Sequence, residues 1–265
     1  MVEKEAFIMS EKNSDPFSSK ENQPCRLIID YGNTFVKTAV FQHHELIRLK
    51  TQPSIDPGLI DTLRKNHNIT GAIISTVTNV PAAVSEYLRG NFRLIELDHH
   101  TPVPINNLYR TPETLGKDRL AVAVAAAKRF PGENCLVIDA GTCITFDFVD
   151  NEKNYLGGSI SPGMALRFKS LNTFTSRLPL VTHGNFEELT GKTTEESILS
   201  GVLNGIVAEV DGIIGFYRDK FPGLKIIVTG GDMNFLAKKL KSNIFADPNL
   251  LLIGLNEILE FNEHQ

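Results

Sequence analysis

The sequence predicts an α/β protein of two related lobes with a nucleotide cleft between them. Two observations lead to this prediction. An apolar strand that ends in Asp-x-Gly occurs at Asp30 and again at Asp139, and each copy is followed by a segment that also has the pattern of a strand. Such a hairpin turn offers a carboxylate and free backbone N–H groups, which suit a metal ion and the phosphates of a nucleotide. Two of these turns facing each other would form a cleft.

The first half of the chain predicts the element order β-β-β-α-β-α-β. Residues 27–30 turn sharply at Gly32 and return over 35–41, which is the pattern of a β-hairpin. The remaining elements follow from apolar periodicity and from a Pro near the helix starts. They are a strand at 46–49, a helix at 57–65, a strand at 71–77, a helix at 81–88 and a strand at 92–97.

The second half repeats this plan after a long helix. That helix covers 118–128, which is rich in Ala, and it stops before Pro131. The repeated elements are a hairpin at Asp139, a strand at 155–158, a helix after Gly163, a helix at about 193–217, a strand at 225–229 and a helix opened by Asp232. We therefore predict a disordered N-terminal extension at 1–24, an N-terminal lobe at 25–134 and a C-terminal lobe at 135–265.

The composition argues against several classes of protein. The 265 residues carry a net charge of −4, whereas general nucleic-acid binders usually have a basic face. The three cysteines, Cys25, Cys135 and Cys143, lack the C-x-x-C spacing of zinc sites, and their odd number indicates no disulfide framework. No segment approaches the roughly 20 apolar residues of a membrane helix. We expect a cytoplasmic protein that binds neither nucleic acid nor membrane.

The first hairpin combines groups that nucleotide binding needs. Asp30 can hold a hydrated divalent ion, Gly32 allows a phosphate to approach the backbone, and Lys37 on the return strand can reach the same region. A tight Asp turn that satisfies only its own backbone would have the same sequence. This segment therefore leaves both interpretations open.

The residues Gly116-Lys117-Asp118-Arg119 at the start of the Ala-rich helix also have two interpretations. An Asp at a helix N-terminus commonly caps the helix. It could instead accept a proton from a hydroxyl group, while Arg119 offers a two-pronged donor to a carboxylate. An acid that also carries an alcohol would fit both side chains.

The second hairpin keeps the acid of the first. Asp139 ends an apolar strand, where an unpaired carboxylate is costly, so a cation partner is attractive; a solvated Asp at the sheet edge is the alternative. Thr145 and Asp147 follow on the return strand. Residues 157–163 form either a shaped turn whose N–H groups could bind an anion or a plain strand-to-helix connection. The Gly-Gly-Asp at 230–232 could likewise support a nucleotide.

Four motifs, taken in order, resemble those of the type III pantothenate kinases. They are D-x-G-N-T-x-x-K at 30–37, G-x-D-R at 116–119, D-x-G-T at 139–142 and G-G-x-I-x-P-G at 157–163. Each motif alone is weak, but the four together are highly specific, and the resemblance covers the chain from Arg26 onward. This family belongs to the acetate kinase, sugar kinase, Hsp70 and actin superfamily. The resemblance implies duplicated ribonuclease H-like lobes, which form the actin-like ATPase fold.

The resemblance also implies roles for individual residues. Asp118 would be the catalytic base that takes the proton from the terminal hydroxyl of pantothenate, Asp139 would bind a monovalent cation such as potassium or ammonium, and Asp30 would hold Mg²⁺ through water. The implied ATP contacts are Asp30, Tyr31, Gly32, Asn33, Thr34, Phe35, Val36, Lys37 and Thr142. The implied pantothenate contacts are Tyr109, Gly116, Lys117, Asp118, Arg119 and Thr194, and Thr193 stands where the family usually has Asn.

Together these roles imply phosphorylation of pantothenate by ATP, the entry step of coenzyme A synthesis, in a homodimer. Apolar residues at 202–214 could pack across a dimer interface or in the core of one chain. Two other functions stay open. A related kinase could act on a sugar or a short acid, although Arg119 disfavours a neutral sugar. The other is a nucleotide-binding regulator without catalysis, against which the retained Asp30, Asp118 and Asp139 weigh.

Overall fold

The computed structural model describes residues 23–32, 35–76, 78–182, 184 and 186–264. Most of the predicted extension at 1–24 therefore lies outside the described residues. The described part forms two sheets with helices packed against them, so the predicted two-lobed α/β class is confirmed.

The first sheet comes from the N-terminal part of the chain. Its elements are β1 (Cys25–Tyr31), β2 (Val36–Gln42), β3 (Glu45–Gln52), α1 (Pro57–Asn66), β4 (Ile69–Thr76), α2 (Ala82–Asn91) and β5 (Arg93–Glu96). The strands lie in the order β3-β2-β1-β4-β5. The predicted order β-β-β-α-β-α-β along the chain is confirmed.

The second sheet uses most of the remaining chain. The elements are β6 (Asn106–Asn107), a 3-10 turn (Pro112–Thr114), α3 (Lys117–Arg129), β7 (Cys135–Ala140), β8 (Cys143–Val149), β9 (Asn154–Pro162), α4 (Met164–Thr173), α5 (Thr194–Lys220), β10 (Lys225–Thr229), α6 (Met233–Lys239), β11 (Phe245–Ala246) and α7 (Leu250–Glu263). The strand order is β11-β10-β7-β8-β9-β6.

The two sheets share one topology. The order β9-β8-β7-β10-β11 corresponds strand for strand to β3-β2-β1-β4-β5, with β6 added at the edge beside β9. In each sheet an antiparallel hairpin, β1–β2 or β7–β8, is joined to a parallel neighbour, β4 or β10. The duplication predicted from the Asp-x-Gly turns is therefore present in the strand order.

Both hairpins close in the same way. The centres of β1 and β7 are fully buried apolar runs, as strands covered on both faces require. At the first turn the N–H of Gly32 donates to the carbonyl of Phe35, with an N–O distance of 3.1 Å. At the second turn the N–H of Gly141 donates to the carbonyl of Cys143 at 2.9 Å. The acids that precede the two glycines thus end up at equivalent positions.

The helices α3 and α7 lie between the two sheets. On α3, Ala121 and Val124 pack in the core cluster that contains the strands of the first sheet, whereas Val122 and Ala125 pack in the cluster that contains β7 and β10. The helix α7 contacts α3, β1 and β4. At Gly254 of α7, a Cβ atom would lie 1.9 Å from the carbonyl oxygen of Ala121. The small residues of both helices therefore allow a close crossing that connects the lobes.

The helix α7 is not among the elements that the sequence analysis predicts. It is buried over most of its length, and even Asn256 and Glu257 are buried. Such a helix lacks the single apolar stripe of a surface helix, which is the pattern that the sequence analysis relies on. By sequence α7 belongs to the predicted C-terminal lobe, but it packs against strands of the first sheet.

Charged and polar groups attach the β2–β3 hairpin to α7. His44 Nδ1 lies 2.8 Å from Glu257 Oε1, and Lys128 Nζ of α3 lies 2.8 Å from Glu257 Oε2. Asn256 Nδ2 donates to the carbonyl of His43 at 3.0 Å. These contacts give the buried Glu257 carboxylate its partners and fix the position of α7 across the first lobe.

The helix α5 is long and apolar enough to cross a membrane by length and composition alone, although the sequence analysis identifies no such segment. The core helix of a soluble protein passes the same test. Ile198, Val202, Ile206, Val210 and Ile214 repeat every four residues and are buried in the core of the second lobe. Of the two interpretations of residues 202–214, packing within one chain is therefore confirmed for this face of the helix.

Candidate active site

Asp30 and Lys37 face each other at the end of the first hairpin. They are directly opposite in the β1–β2 register, which places both side chains on the same face of the sheet. Burial raises the pKa of the Asp30 carboxyl to about 6, the Lys37 ammonium partly opposes that rise, and the Asp118 carboxylate adds to it. The structure therefore brings the predicted phosphate-binding turn close to the start of α3.

Asp139 occupies the equivalent position in the second hairpin but has a different neighbour. It lies opposite Thr145 in the β7–β8 register. Burial and the Asp118 carboxylate raise the pKa of Asp139 to about 6, while Lys37 lowers it in part. Asp30 contributes a smaller increase. Groups from both lobes thus act on one another, as a cleft between the lobes requires.

This cluster has an excess of negative charge. Asp30, Asp118 and Asp139 contribute three carboxylates, and Lys37 is the cation that acts on both of the acids with raised pKa values. Carboxylates in such a setting are stabilised by bound cations. The donor set therefore fits the hard cations and the metal–nucleotide complex that the sequence predicts here.

The Gly-Gly-Asp at 230–232, which is weak evidence in the sequence, lies against the second hairpin. Gly230 has a φ of +92°, and a Cβ atom there would lie 2.4 Å from both Asp139 Oδ1 and the Ala140 carbonyl oxygen. The N–H of Asp232 donates to that same carbonyl at 2.9 Å. A side chain at position 230 would thus collide with the carboxylate that the sequence assigns to a cation.

Asp118 lies in the first turn of α3. The N-cap position, Gly116, makes no side-chain cap hydrogen bond. Instead the backbone N–H of Arg119 donates to Asp118 Oδ1 at 2.8 Å. The carboxylate is partly buried and interacts with both Asp30 and Asp139. Its local hydrogen bond belongs to the helix start, whereas its surroundings are those of the acidic cluster.

Arg119 has a partner within the chain, and its predicted contact with a substrate carboxylate stays a prediction. Its Nε donates to Asp147 Oδ1 at 2.8 Å. Its Nη2 lies 2.8 Å from the same oxygen but is poorly aligned, so that this buried nitrogen has no hydrogen bond among the described residues. The guanidinium group is therefore neutralised by Asp147 before any substrate arrives.

Tyr109 lies beside this ion pair. Its ring centroid is 5.8 Å from Arg119 Cζ and 6.2 Å from the ring of Tyr155. A Cβ atom at Gly157, whose φ is +93°, would lie 3.1 Å from the Tyr109 ring. The structure thus joins the predicted substrate-contacting tyrosine to two of the motifs, at 116–119 and at 157–163.

The segment 157–163 is mainly a strand that leads into α4, which favours the plain strand-to-helix connection of the two interpretations. Residues up to Pro162 belong to β9 and pair with β8. The N–H of Gly163, at the N-cap of α4, donates to the carbonyl of Thr142 at 3.0 Å. That N–H is therefore already used in holding the second hairpin in place.

The remaining predicted contacts with ATP and the substrate differ in how exposed they are. Asn33 and Thr34 lie outside the described residues. Tyr31 and Val36 are buried in the first-lobe core, so any contact with ATP would use their backbone, whereas Phe35 is exposed. Thr142 is exposed at the second turn and Lys117 is partly buried at the start of α3.

Thr194 lies away from these groups as far as the described contacts show. It is the first residue of α5, and Thr193 caps that helix by accepting a hydrogen bond from the N–H of Glu196. The two threonines line an open groove of about 880 Å³ together with Arg167 of α4 and Lys192. No described contact links Thr194 to the start of α3.

Asp147 and Tyr155 contact predicted site residues, and the sequence did not predict these contacts. Tyr155 OH donates to Asp147 Oδ1 at 2.7 Å, and both residues are fully buried. A signal was present in the sequence, because Asp147 stands between Phe146 and Phe148 on an apolar strand. An acid in such a position requires a buried partner.

Two comparisons of the sequence indicate the same family. The model of a family described as "Type III pantothenate kinase" matches residues 26–215 of this chain. The type III pantothenate kinase of Christiangramia forsetii is 48% identical over 241 residues, which cover 90% of this chain and 99% of that protein. The type III pantothenate kinase of Phocaeicola vulgatus is 44% identical over 238 residues, which cover 89% and 98%.

Solved structures show the same fold at lower identity. A Campylobacter jejuni protein described as a "conserved putative Baf family transcriptional activator" has a TM-score of 0.53 at 24% identity and covers 90% of this chain and 100% of its own. A Listeria monocytogenes protein described as a "putative N-acetylmannosamine kinase" has a TM-score of 0.52 at 17% identity, with 90% and 99% covered. These likenesses concern the two-lobed fold.

Proposed function

Because the chain belongs to the type III pantothenate kinase family, we infer that it transfers the γ-phosphoryl group of ATP to the terminal hydroxyl of pantothenate, the first step of coenzyme A synthesis. The observation that carries this proposal is the shared electrostatic environment of Asp30, Lys37, Asp118 and Asp139, which come from both lobes. Phosphoryl transfer depends mainly on positioning and on charge neutralisation. A mixed cluster of this kind supports both.

Asp118 is the proposed general base. The N–H of Arg119 holds one carboxylate oxygen, Oδ1, and we assign Oδ2 to the hydroxyl proton of pantothenate. As that proton moves to Asp118, the pantothenate oxygen bonds to the γ-phosphorus and the bond from this phosphorus to the bridging oxygen of ADP breaks. A positioned base typically contributes about 10²–10⁴-fold to the rate.

The first hairpin is proposed to hold ATP and Mg²⁺. Asp30 would bind the water shell of the divalent ion, Lys37 would neutralise phosphate charge, and Gly32 would allow the phosphates to approach the backbone. When bound, the ion supplies further neutralisation of the phosphate oxygens. The remaining proposed ATP contacts are the exposed Phe35 and Thr142, the backbones of the buried Tyr31 and Val36, and Asn33 and Thr34, which lie outside the described residues.

Asp139 is proposed as the ligand of a potassium or ammonium ion. It faces Thr145 across the hairpin, whereas Asp30 faces Lys37. This difference between two otherwise equivalent turns supports different partners for the two acids: phosphate and a hydrated divalent ion at the first, and a monovalent cation at the second.

The pantothenate site is proposed around the start of α3. The floor of this site consists of Gly116, Lys117, Asp118 and Arg119. Tyr109 forms an aromatic wall next to the Arg119 guanidinium. Since Asp147 already neutralises Arg119, we propose that Arg119 contacts pantothenate as a hydrogen-bond donor more than as a bare positive charge.

A homodimer is proposed on the basis of exposed apolar surface and of Thr194. Phe216 of α5 is 77% exposed and Phe174, directly after α4, is 86% exposed. Aromatic side chains are enriched at protein–protein interfaces. The proposed contact of Thr194 with pantothenate could then be made within one subunit or across the dimer. We further propose lobe limits at 25–134 and 135–265, with β6 paired into the second sheet and α7 docked on the first lobe, and a cytoplasmic location.

The test is an ATP-consumption assay with pantothenate, Mg²⁺ and potassium on the wild-type protein and on Asp118→Asn. We expect pantothenate-dependent ADP formation by the wild type and a loss of at least about 100-fold in kcat for the variant. Equal turnover by the two proteins would remove Asp118 from the mechanism. A substrate panel with N-acetylmannosamine and a short hydroxy acid separates this activity from that of a related kinase, and product formation itself contradicts a purely regulatory role.

A further inference from the structure

The buried carboxylate of Asp147 collects donors from three elements. It accepts hydrogen bonds from Arg119 Nε of α3 at 2.8 Å, from Tyr155 OH of β9 at 2.7 Å and from Thr145 Oγ1 of its own strand at 2.9 Å. Its side chain is completely inaccessible to solvent. A buried carboxylate is tolerated only when it is paired and hydrogen-bonded in this way. The arrangement is specific, because each donor approaches a defined oxygen.

The backbone opposite Asp147 packs too closely against β8 to admit a side chain. The residue opposite Asp147 in the β8–β9 register is Gly158. A Cβ atom at Gly158 would lie only 1.6 Å from the carbonyl oxygen of Phe146 and 3.1 Å from Asp147 Cα. The strand pair therefore requires a residue without a side chain at this position, directly beside the ion pair.

The ion pair connects the second sheet to the first turn of α3. Gly116 provides no side-chain cap there, and the Arg119–Asp147 pair is a buried side-chain hydrogen bond that joins this turn to β8. The backbone N–H of the same Arg119 holds Asp118 Oδ1. Arg119 thus contacts β8 through its side chain and holds the carboxylate of the proposed base through its backbone N–H.

Tyr155 completes the anchor and extends it toward Tyr109. Burial and the Asp147 charge raise the pKa of the Tyr155 hydroxyl, which therefore stays protonated and remains a donor to Asp147. The ring of Tyr155 lies 6.2 Å from that of Tyr109. The proposed aromatic wall of the pantothenate site is consequently packed against the same network.

We propose that Asp147 is a positioning residue of the kinase reaction: by clamping Arg119, it fixes the first turn of α3 and so holds Asp118 in the orientation that accepts the substrate proton. This inference rests on the proposed function. Asp147 touches neither ATP nor pantothenate in this role and acts through Arg119. Outer partners that orient metal ligands typically change affinity or activity about 10- to 100-fold when they are mutated, and we expect an effect of similar size for a group that orients a general base.

The experiment is a double-mutant cycle of kcat for pantothenate phosphorylation with wild type, Asp147→Asn, Asp118→Asn and the double variant. We expect Asp147→Asn to lower kcat about 10- to 100-fold with the KM for ATP unchanged. Because the clamp acts through Asp118, we also expect the double variant to be no slower than Asp118→Asn alone. Losses that multiply, or a normal kcat in Asp147→Asn, overturn the proposal.

The matched control is Asp150→Asn. Asp150 lies just beyond the end of β8 and accepts hydrogen bonds from the N–H groups of Glu152 and Asn154 and from Asn154 Nδ2, so its loss also disturbs the β8–β9 hairpin. We expect it to lower the melting temperature without changing kcat. A fall in kcat equal to that of Asp147→Asn would show that both act through general damage to the hairpin and would overturn the positioning role.

A second variant covers the case in which Asp147→Asn does not fold. Tyr155→Phe removes one donor and keeps the Arg119–Asp147 pair, so it should fold and lower kcat by a smaller factor, again only when Asp118 is present. An unchanged kcat in Tyr155→Phe would then overturn the proposal. If the wild type itself does not phosphorylate pantothenate, it is the proposed function that fails, which this design separates from a failure of the clamp.

Discussion

Asp30 and Asp139 show how one residue type in one local sequence acquires two environments. Both end a buried strand before a glycine turn, and burial raises the pKa of each to about 6. Lys37 faces Asp30 directly, whereas Thr145 faces Asp139. The Asp30 carboxylate thus has a cation directly opposite it, whereas the Asp139 carboxylate has none at that position. A bound cation would offset the free-energy cost of burying the charged Asp139 carboxylate.

This difference leads to a prediction for the ligand-free protein. A folded-state pKa of about 6 for Asp139 exceeds the ordinary value of about 3.9, so the folded protein binds the proton more tightly than the unfolded chain. Ionisation of Asp139 therefore lowers the free energy of unfolding as pH rises from about 4 through about 6. We expect Asp139→Asn to raise the free energy of unfolding by on the order of 1–2 kcal/mol at pH 7.5, and by less at pH 5.

Urea denaturation in tetramethylammonium buffer at the two pH values measures this effect. Asp147→Asn is the contrast, since removing one partner of the buried pair with Arg119 should destabilise the protein. Adding potassium should stabilise the wild type more than Asp139→Asn. If Asp139→Asn gained the same stability at both pH values, a raised pKa of Asp139 would be contradicted. If potassium stabilised Asp139→Asn as much as the wild type, Asp139 would not be the cation ligand.

Arg119 shows the limit of local inference at this scale. The sequence around it predicts a helix start, which the structure contains, and assigns its guanidinium group to a substrate carboxylate, which stays a prediction. Its partner Asp147 lies 28 positions along the chain, on a strand of the second sheet. Such a pairing depends on how α3 packs against β8, and the residues around Arg119 carry no information about it.

At the scale of elements, the crossing of α3 and α7 determines how the lobes are joined. Ala-rich α3 has little side-chain volume on the side that meets α7, and Gly254 brings the α7 backbone against Ala121. Interiors are packed too densely to accept an added atom at such a contact without movement. The composition of α3 predicted that helix, but the sequence did not predict α7, the helix that packs against its small side chains.

We expect Gly254→Ala to lower the free energy of unfolding by about 1–3 kcal/mol through overpacking, although alanine favours helix. Gly90 of α2 is the matched control, because a Cβ atom there would meet no atom within 4 Å. Gly90→Ala should leave stability unchanged or raise it by up to about 1 kcal/mol. Chemical denaturation of both variants decides the matter: a Gly254→Ala protein as stable as Gly90→Ala would contradict the close crossing.

At the scale of the whole molecule, the proposed dimer concerns the exposed side of α5 around Phe216. The inner face of α5 is used in the core of its own lobe, but Phe216 is 77% exposed on the same helix. A second copy of the chain that covered Phe216 would bury a large aromatic side chain, and such side chains contribute strongly to interfaces.

We expect Phe216→Asp to convert a dimeric protein to a monomer, or to raise its dimer dissociation constant at least about 100-fold, because a charge would have to be buried. Light scattering after size-exclusion chromatography measures the mass. Ile47→Asp, on the outer strand of the first sheet, replaces another exposed apolar residue and should leave the mass unchanged. A wild-type protein that is monomeric, or a Phe216→Asp protein that stays dimeric, would contradict this interface.

The sequence by itself determined the two hairpins, the element order of the first lobe, the duplication and the family, because turn glycines, strand alternation and ordered motifs are local properties. The tertiary structure alone decided what depends on distant segments meeting: the docking of α7 on the first lobe, the pairing of Arg119 with Asp147, the use of the Gly163 N–H within the fold, and the raised pKa values of Asp30 and Asp139. The physical reason is that burial and long-range ion pairing depend on which surfaces are removed from water together.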